Sequence, residues 1–145
     1  MEPRTRRLTN VYSGVSAVAA FVTQPVPALD ELIVVPIHYA LVVKIARTRK
    51  FSVLKLPWKQ IKKIIWYGAA ARLVGNFSLG LVPVLGMFSN AITAIALTEF
   101  LGRYLDDVIE NPDKVQPDIT MESLKELFAN AMKKKAAEKS NGGGT

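Results

Sequence analysis

The sequence predicts an all-α protein: a four-helix bundle of two tandem, apparently duplicated apolar helical hairpins, followed by an amphipathic C-terminal helix. Three observations lead there. Long apolar stretches are punctuated by proline and glycine, without the apolar-polar alternation of half-buried strands. Basic residues gather between and outside those stretches. Half of the 145 residues are hydrophobic and the mean hydropathy is +0.20, higher than most soluble domains reach, although the tails dilute it. This length fits one domain with tails. The absence of cysteine excludes disulfides, thiolate chemistry and cysteine metal sites. A net charge of +7 with a pI near 9.8 leaves three partner classes: nucleic acid, an anionic membrane surface or an acidic protein.

Residues 1–8 read as a basic tail. They and the apolar run behind them imitate a signal peptide, but no small-x-small cleavage site precedes a polar region, so the segment reads as a retained helix. That helix is expected from Thr9 to Thr23, with Thr9 or Asn10 as its cap and Pro25 and Pro27 ending it. A second helix, from Ala28 to Arg47, has Asp30 and Glu31 in its first turn and Lys44 and Arg47 near its end, both favourable to the helix dipole. A basic connector leads through Leu56-Pro57-Trp58 into a third helix ending near Asn76. Gly80, Pro83 and Gly86 suggest a second apolar turn, and a fourth helix runs from Pro83 or Val84 to Leu105. The hairpin domain is thus 9–110, with hairpins at 9–47 and 57–105; 111–119 reads as a linker, 120–139 as the amphipathic helix and 140–145 as a disordered tail. The halves also resemble each other. Gly14, Pro27-Ala28-Leu29, Ala40-Leu41 and Arg47 recur at a nearly constant offset as Gly68, Pro83-Val84-Leu85, Ala96-Leu97 and Arg103, as a duplicated hairpin would.

Charge placement carries the functional reading. Lys44, Arg47, Arg49, Lys50, Lys55, Lys59, Lys62 and Lys63 crowd the connector, with Trp58 among them and no acidic residue. Arg4, Arg6 and Arg7 precede the first helix, and Arg103 with the later lysines follows the fourth. In an up-down-up-down chain these all fall at one end, while the tips carry no lysine or arginine; Arg72 alone escapes the pattern. Such bias obeys the positive-inside rule and suits an interfacial anchor, with Trp58 at headgroup level and lysines on anionic lipid.

Crossing a bilayer is a separate matter. A span needs about 20 apolar residues, yet prolines interrupt both apolar regions, and His38, Arg72 and Glu99 fall inside the helices. Counting outward from the tips sets Glu99 level with Lys63, Arg72 with Asn90, and His38 with Gly14, pairings that would relieve the polar cost within a bundle. Spanning, shallow insertion and a soluble bundle all stay open, with some form of membrane association preferred.

The motif Thr23-Gln24-Pro25-Val26-Pro27-Ala28-Leu29-Asp30, the helix through Ile37-His38 and Ile45-Ala46-Arg47, and the second signature Val82-Pro83-Val84-Leu85-Gly86 with the run from Asn90 to Gly102 resemble a bacterial domain-of-unknown-function family, the YcjF-like DUF 697 group. The resemblance covers about Val11 to Leu105. It implies a membrane-associated helical module acting beside an Era- or Ras-like GTPase, at the bacterial inner membrane with its basic face cytoplasmic, and no catalytic residues. No phosphate-cradling Gly-Lys-Ser or Gly-Lys-Thr loop occurs, so any nucleotide chemistry would belong to a partner.

Enzymatic chemistry is not expected. His38 is the lone histidine, without carboxylates at ligand spacing, so it reads as a core residue and not a metal ligand. Ser13, Ser16, Ser78 and Ser89 have no other base to activate them, and Asp106 with Asp107 reads as a solvated helix end. No cofactor or metal is expected. The expected function is a non-enzymatic, membrane-associated scaffold or adaptor whose partners are anionic lipid, a GTPase in trans and a second copy of the chain. A soluble helical interaction module in the cytoplasm is the alternative, and nucleic acid is disfavoured, although basic residues with interleaved aromatics can bind it.

Overall fold

The computed structural model describes residues 1–23, 29–79, 83–113, 118–120, 122–123 and 126, with side chains for all of these except 29–31, 73–79 and 83–89. The chain is all-helical: α1 (Pro3–Thr23), α2 (Leu29–Thr48), a short 3-10 turn (Val53–Lys55), α3 (Trp58–Leu79) and α4 (Pro83–Glu110), with no strand among the described residues.

The N-terminal segment is not a tail. Helix α1 begins six residues before Thr9, with Pro3 at its first position, where proline's missing N–H costs nothing. The Glu2 carboxylate caps it, accepting the Thr5 amide at 3.0 Å, and an acidic group there favours the helix dipole. The Glu2 amide donates to Asp106 of α4 at 2.9 Å, fixing the start of α1 against the end of α4. Helix α4 correspondingly runs past Leu105 to Glu110, about 42 Å at 1.5 Å per residue.

The register is readable from pairs of residues. Glu2 meets Asp106, Thr9 meets Gly102, and Asn90 donates to the Ala20 carbonyl, so α1 and α4 run antiparallel along most of α1. His38 meets Thr98 and Arg49 meets Glu110, so α2 runs parallel to α4. Helix α4 touches all three others, while α1 and α3 share no contact among the described residues. One end therefore collects the start of α1, the end of α2, the start of α3 and the end of α4.

The main apolar core lies toward that end. Leu41 and Ile45 from α2, Ile61, Ile64 and Ile65 from α3, and Leu97, Leu101 and Leu105 from α4 are all fully buried. Each such side chain contributes about 1.5–3 kcal/mol by leaving water. A smaller cluster of Ala20, Val34 and Ala94 lies toward the tips. Helix α2 ends in a Schellman turn: Phe51 N–H reaches the Ala46 carbonyl at 2.9 Å and Lys50 N–H the Arg47 carbonyl at 3.1 Å. Lys50 occupies the left-handed position at φ 54°, where glycine is usual.

The linker also differs from expectation. Asp118 pairs with Lys63 at 2.6 Å and Ile119 is buried in the main core, so its end packs onto α3. Thr120 and Ser123 exchange amide-to-hydroxyl bonds of 3.2 and 3.0 Å, a capping box where the C-terminal helix was expected to start. Residues 122–123 and 126 are helical; the rest of the expected 120–139 helix and the 140–145 tail lie outside the described residues. Pro25 and Pro27 lie outside them too. Pro83, Gly86 and Asp30 are helical, so Gly86 belongs to α4 and not to a turn. The two glycines matched by the internal similarity have unlike surroundings: Gly14 is exposed with nothing near its missing Cβ, whereas Gly68 is buried against Leu97.

Candidate functional site

Helix α1 is inverted relative to a soluble amphipathic helix. Its buried residues are Thr5, Thr9, Ser13, Ser16, Ala20 and Thr23, all small and nearly all hydroxylated. Two of the hydroxyls turn back onto their own helix, Thr9 onto the Thr5 carbonyl at 2.9 Å and Thr23 onto the Ala19 carbonyl at 2.7 Å. That satisfies each hydroxyl without a partner from another helix, and small side chains let the backbones of α1 and α4 approach closely. Leu8 and Tyr12 pack against the main core, but the valines point outward. Val11, Val15, Val18 and Val22 are 49–66% exposed. At 100° per residue they fall within an arc of about 60° opposite the hydroxyl face. Leu32 and Ile33 of α2 and Trp66 of α3 add to the exposed apolar surface. The valine period is legible in the sequence, but periodicity marks a face without saying which way it points.

The basic end is less uniformly cationic than the sequence suggests. Arg49 is held between Glu2 at 3.1 Å and Glu110 at 3.4 Å. Lys63 pairs with Asp118 and not with Glu99; that hydrogen bond raises the lysine's pKa and lowers the carboxylate's. For Glu2, burial pushes the carboxyl up, but hydrogen bonds from the Thr5 and Arg4 amides and from Arg49 leave it below its usual range. Trp58 is half-buried and structural: its Nε1–H donates to the Val53 carbonyl at 2.9 Å and its ring stacks on Tyr39 with centroids 6.3 Å apart. The exposed cations among the described residues are Arg4, Arg6 and Arg7 on α1, Lys44 and Arg47 on α2, Arg103 on α4, and Lys50, Lys55, Lys59 and Lys62 along and after the connector. Leu54, 90% exposed, stands among the last group as a projecting apolar side chain.

The intrahelical polar residues mostly face inward. His38, Arg72 and Asn90 are buried, while Glu99 is half-buried. His38 Nε2 lies 2.9 Å from Thr98 Oγ1. Thr98 spends its own proton on the Ala94 carbonyl at 2.7 Å, so its oxygen accepts from His38, which fixes the Nε2–H tautomer. Burial, then the charge of Arg72, push the imidazole down to about 3, and it is neutral at any physiological pH. Asn90 donates to the Ala20 carbonyl at 3.2 Å, tying α4 to α1. Sequence reasoning missed Thr98, Asp106 and Asp118 because their partners are distant in the chain.

Among the described residues no helix is long and apolar enough to cross a membrane, and no group of three His, Asp or Glu side chains stands together. Such an arrangement offers surfaces: an apolar α1 face and a ring of cations at one end. Comparison with known proteins finds no matching family model, no matching curated protein and no matching solved structure.

Proposed function

We propose that this protein is a non-enzymatic, membrane-associated helical scaffold or adaptor whose body is a four-helix bundle of two tandem hairpins. One observation carries the reading: α1 buries hydroxyls and exposes valines while the cations gather at the end where the α1–α2 side begins. In water an exposed valine stripe is a liability, whereas against lipid it is the expected outer surface and small residues belong between helices. Exposed Lys and Arg beside that surface suit anionic headgroups, each worth about 1 kcal/mol at the membrane. The reading does not require the helices to cross the bilayer. The resemblance noted from the motifs adds a GTPase acting in trans at the cytoplasmic face of a bacterial inner membrane.

The full leucine- and isoleucine-rich core favours a second reading, an interaction module free of the membrane, whose valine stripe docks a protein partner. Fractionation separates the two. Recovery of the full chain with membranes, resistant in part to high salt, supports the first; complete recovery in the supernatant at low salt without detergent would leave only the second.

A further inference from the structure

Between α1 and α2 lies an open groove of about 370 Å³, lined by Tyr12, Tyr39, Ala40, Val43, Lys44 and Arg47. Its walls are apolar and its two cations sit one turn apart on α2, both exposed and neither in an ion pair among the described residues. We propose that this groove is a binding site for one anionic glycerophospholipid, its phosphate held by Lys44 and Arg47 and its acyl chain lying along the α1–α2 face toward the tips. The proposal rests on the membrane reading and adds to it a ligand class and a site.

Three features select this occupant. The charge complements a phosphate, which Arg47 can bind with a fork of N–H donors and Lys44 as a point charge. The surface beyond the cations is apolar and continuous toward the tip, through Ala40 to Ile33 and Leu32 on α2 and from Val11 to Val22 on α1. The lengths also agree. From Lys44 to Leu32, and from Val11 to Val22, the helices rise about 17–18 Å. One leaflet of a bilayer has about 15 Å of hydrocarbon. A headgroup on the cations thus leaves its chain beside valine and leucine for the full depth of a leaflet. None of the other exposed cations lines the groove: Arg4, Arg6 and Arg7 stand at the start of α1, Lys50, Lys55, Lys59 and Lys62 along and after the connector, and Arg103 on α4, where they would act as a diffuse surface.

The test is a titration of the full chain, followed by amide and methyl NMR, with dihexanoyl-phosphatidylglycerol below its micelle concentration. Parallel titrations use dihexanoyl-phosphatidylcholine and inorganic phosphate. The phosphatidylglycerol should give saturable, one-to-one shifts centred on Tyr12, Tyr39, Ala40 and Val43. The double variant Lys44→Gln/Arg47→Gln should weaken binding about 30-fold, the equivalent of two cations at about 1 kcal/mol each. The double variant Lys59→Gln/Lys62→Gln, which removes the same charge, should change it less than about threefold. All four positions are exposed, so both variants should fold. Shifts spread along the connector, equal losses in the two variants, or the same shifts from inorganic phosphate would each overturn the proposal. If wild type still floats with phosphatidylglycerol vesicles while the titration fails, the groove assignment falls alone; if flotation fails as well, the membrane reading falls with it.

Discussion

Replacing Gly102 by alanine probes the closest approach of α1 and α4, and the structure sets its cost. A Cβ at Gly102 would lie 2.8 Å from Thr9 Cγ2 and 3.1 Å from Thr9 Cβ, and closer still to Oγ1. The Thr9 hydroxyl is bonded to the Thr5 carbonyl at 2.9 Å. Rotating χ1 would break that bond and still leave Cβ in place, because Cβ moves only with the backbone. Ordinary carbon contacts are about 3.5–4.0 Å, so the helices must part. Overpacking of this kind costs about 1–3 kcal/mol. The gain in helix propensity from glycine to alanine offsets about 1 kcal/mol. The expected net loss is about 0–2 kcal/mol. Gly14 is the internal control: it is exposed, and a Cβ there meets nothing within 4 Å, so Gly14→Ala should gain about 0.5–1 kcal/mol. Thermal and urea unfolding followed by circular dichroism, in one buffer, should place Gly14→Ala above Gly102→Ala by roughly 2–10 °C. A Gly102→Ala protein as stable as Gly14→Ala would refute the close α1–α4 packing.

Further outcomes follow from the same geometry. Because His38 is neutral in the folded state down to about pH 3 and the unfolded chain binds its proton near 6.5, the unfolded state holds more protons in that window. Stability should therefore be complete above pH 6.5 and fall by about 2 kcal/mol between pH 7 and pH 5, a slope that His38→Gln should abolish; identical slopes in both proteins would contradict the buried neutral imidazole. The depressed carboxyls of Glu2 and Asp118 contribute stability that is present throughout that window and is lost only as the pH falls below their ordinary values of 4.5 and 3.8. Lys50→Gly should stabilise the chain by about 0.5 kcal/mol, the relief of a left-handed side chain less the added freedom of the unfolded state, and a loss would argue against the Schellman turn. Lys59→Glu/Lys62→Glu should weaken binding to anionic liposomes at least tenfold at low salt, and unchanged binding would remove the connector from the membrane contact. Lys63 is best left intact in that experiment, because its partner is Asp118.

The helical class, the order of helices and the gathering of cations at one end were legible because they rest on composition and local punctuation. Proline placed the C-terminal end of α1 and the start of α4 well. The start of α1 was not legible: Arg4, Arg6 and Arg7 near a helix N-terminus oppose its dipole, and the compensation comes from Glu2 and its bond to Asp106, which only the fold brings together. The buried polar residues were identified, but not the contacts of His38 with Thr98 and of Asn90 with the Ala20 carbonyl. Counting from the tips assumed level pairing within a hairpin, whereas His38 and Asn90 reach across to Thr98 and Ala20, between hairpins. The inversion of α1 was hidden for a different reason. Serine and threonine carry little signal for burial in water, where they are mostly exposed, yet here they form the inner face.

The central claim, that the valine face and the cations meet a membrane, is tested most directly by flotation. The full chain is mixed with vesicles of phosphatidylcholine containing one-quarter phosphatidylglycerol, and separately with phosphatidylcholine alone, and spun through a density gradient at low and high salt. Flotation with the anionic vesicles at low salt, with a fraction retained at high salt where headgroup attraction is screened but apolar burial persists, is the predicted result. Protein left at the bottom of the gradient with anionic vesicles at low salt would contradict the account.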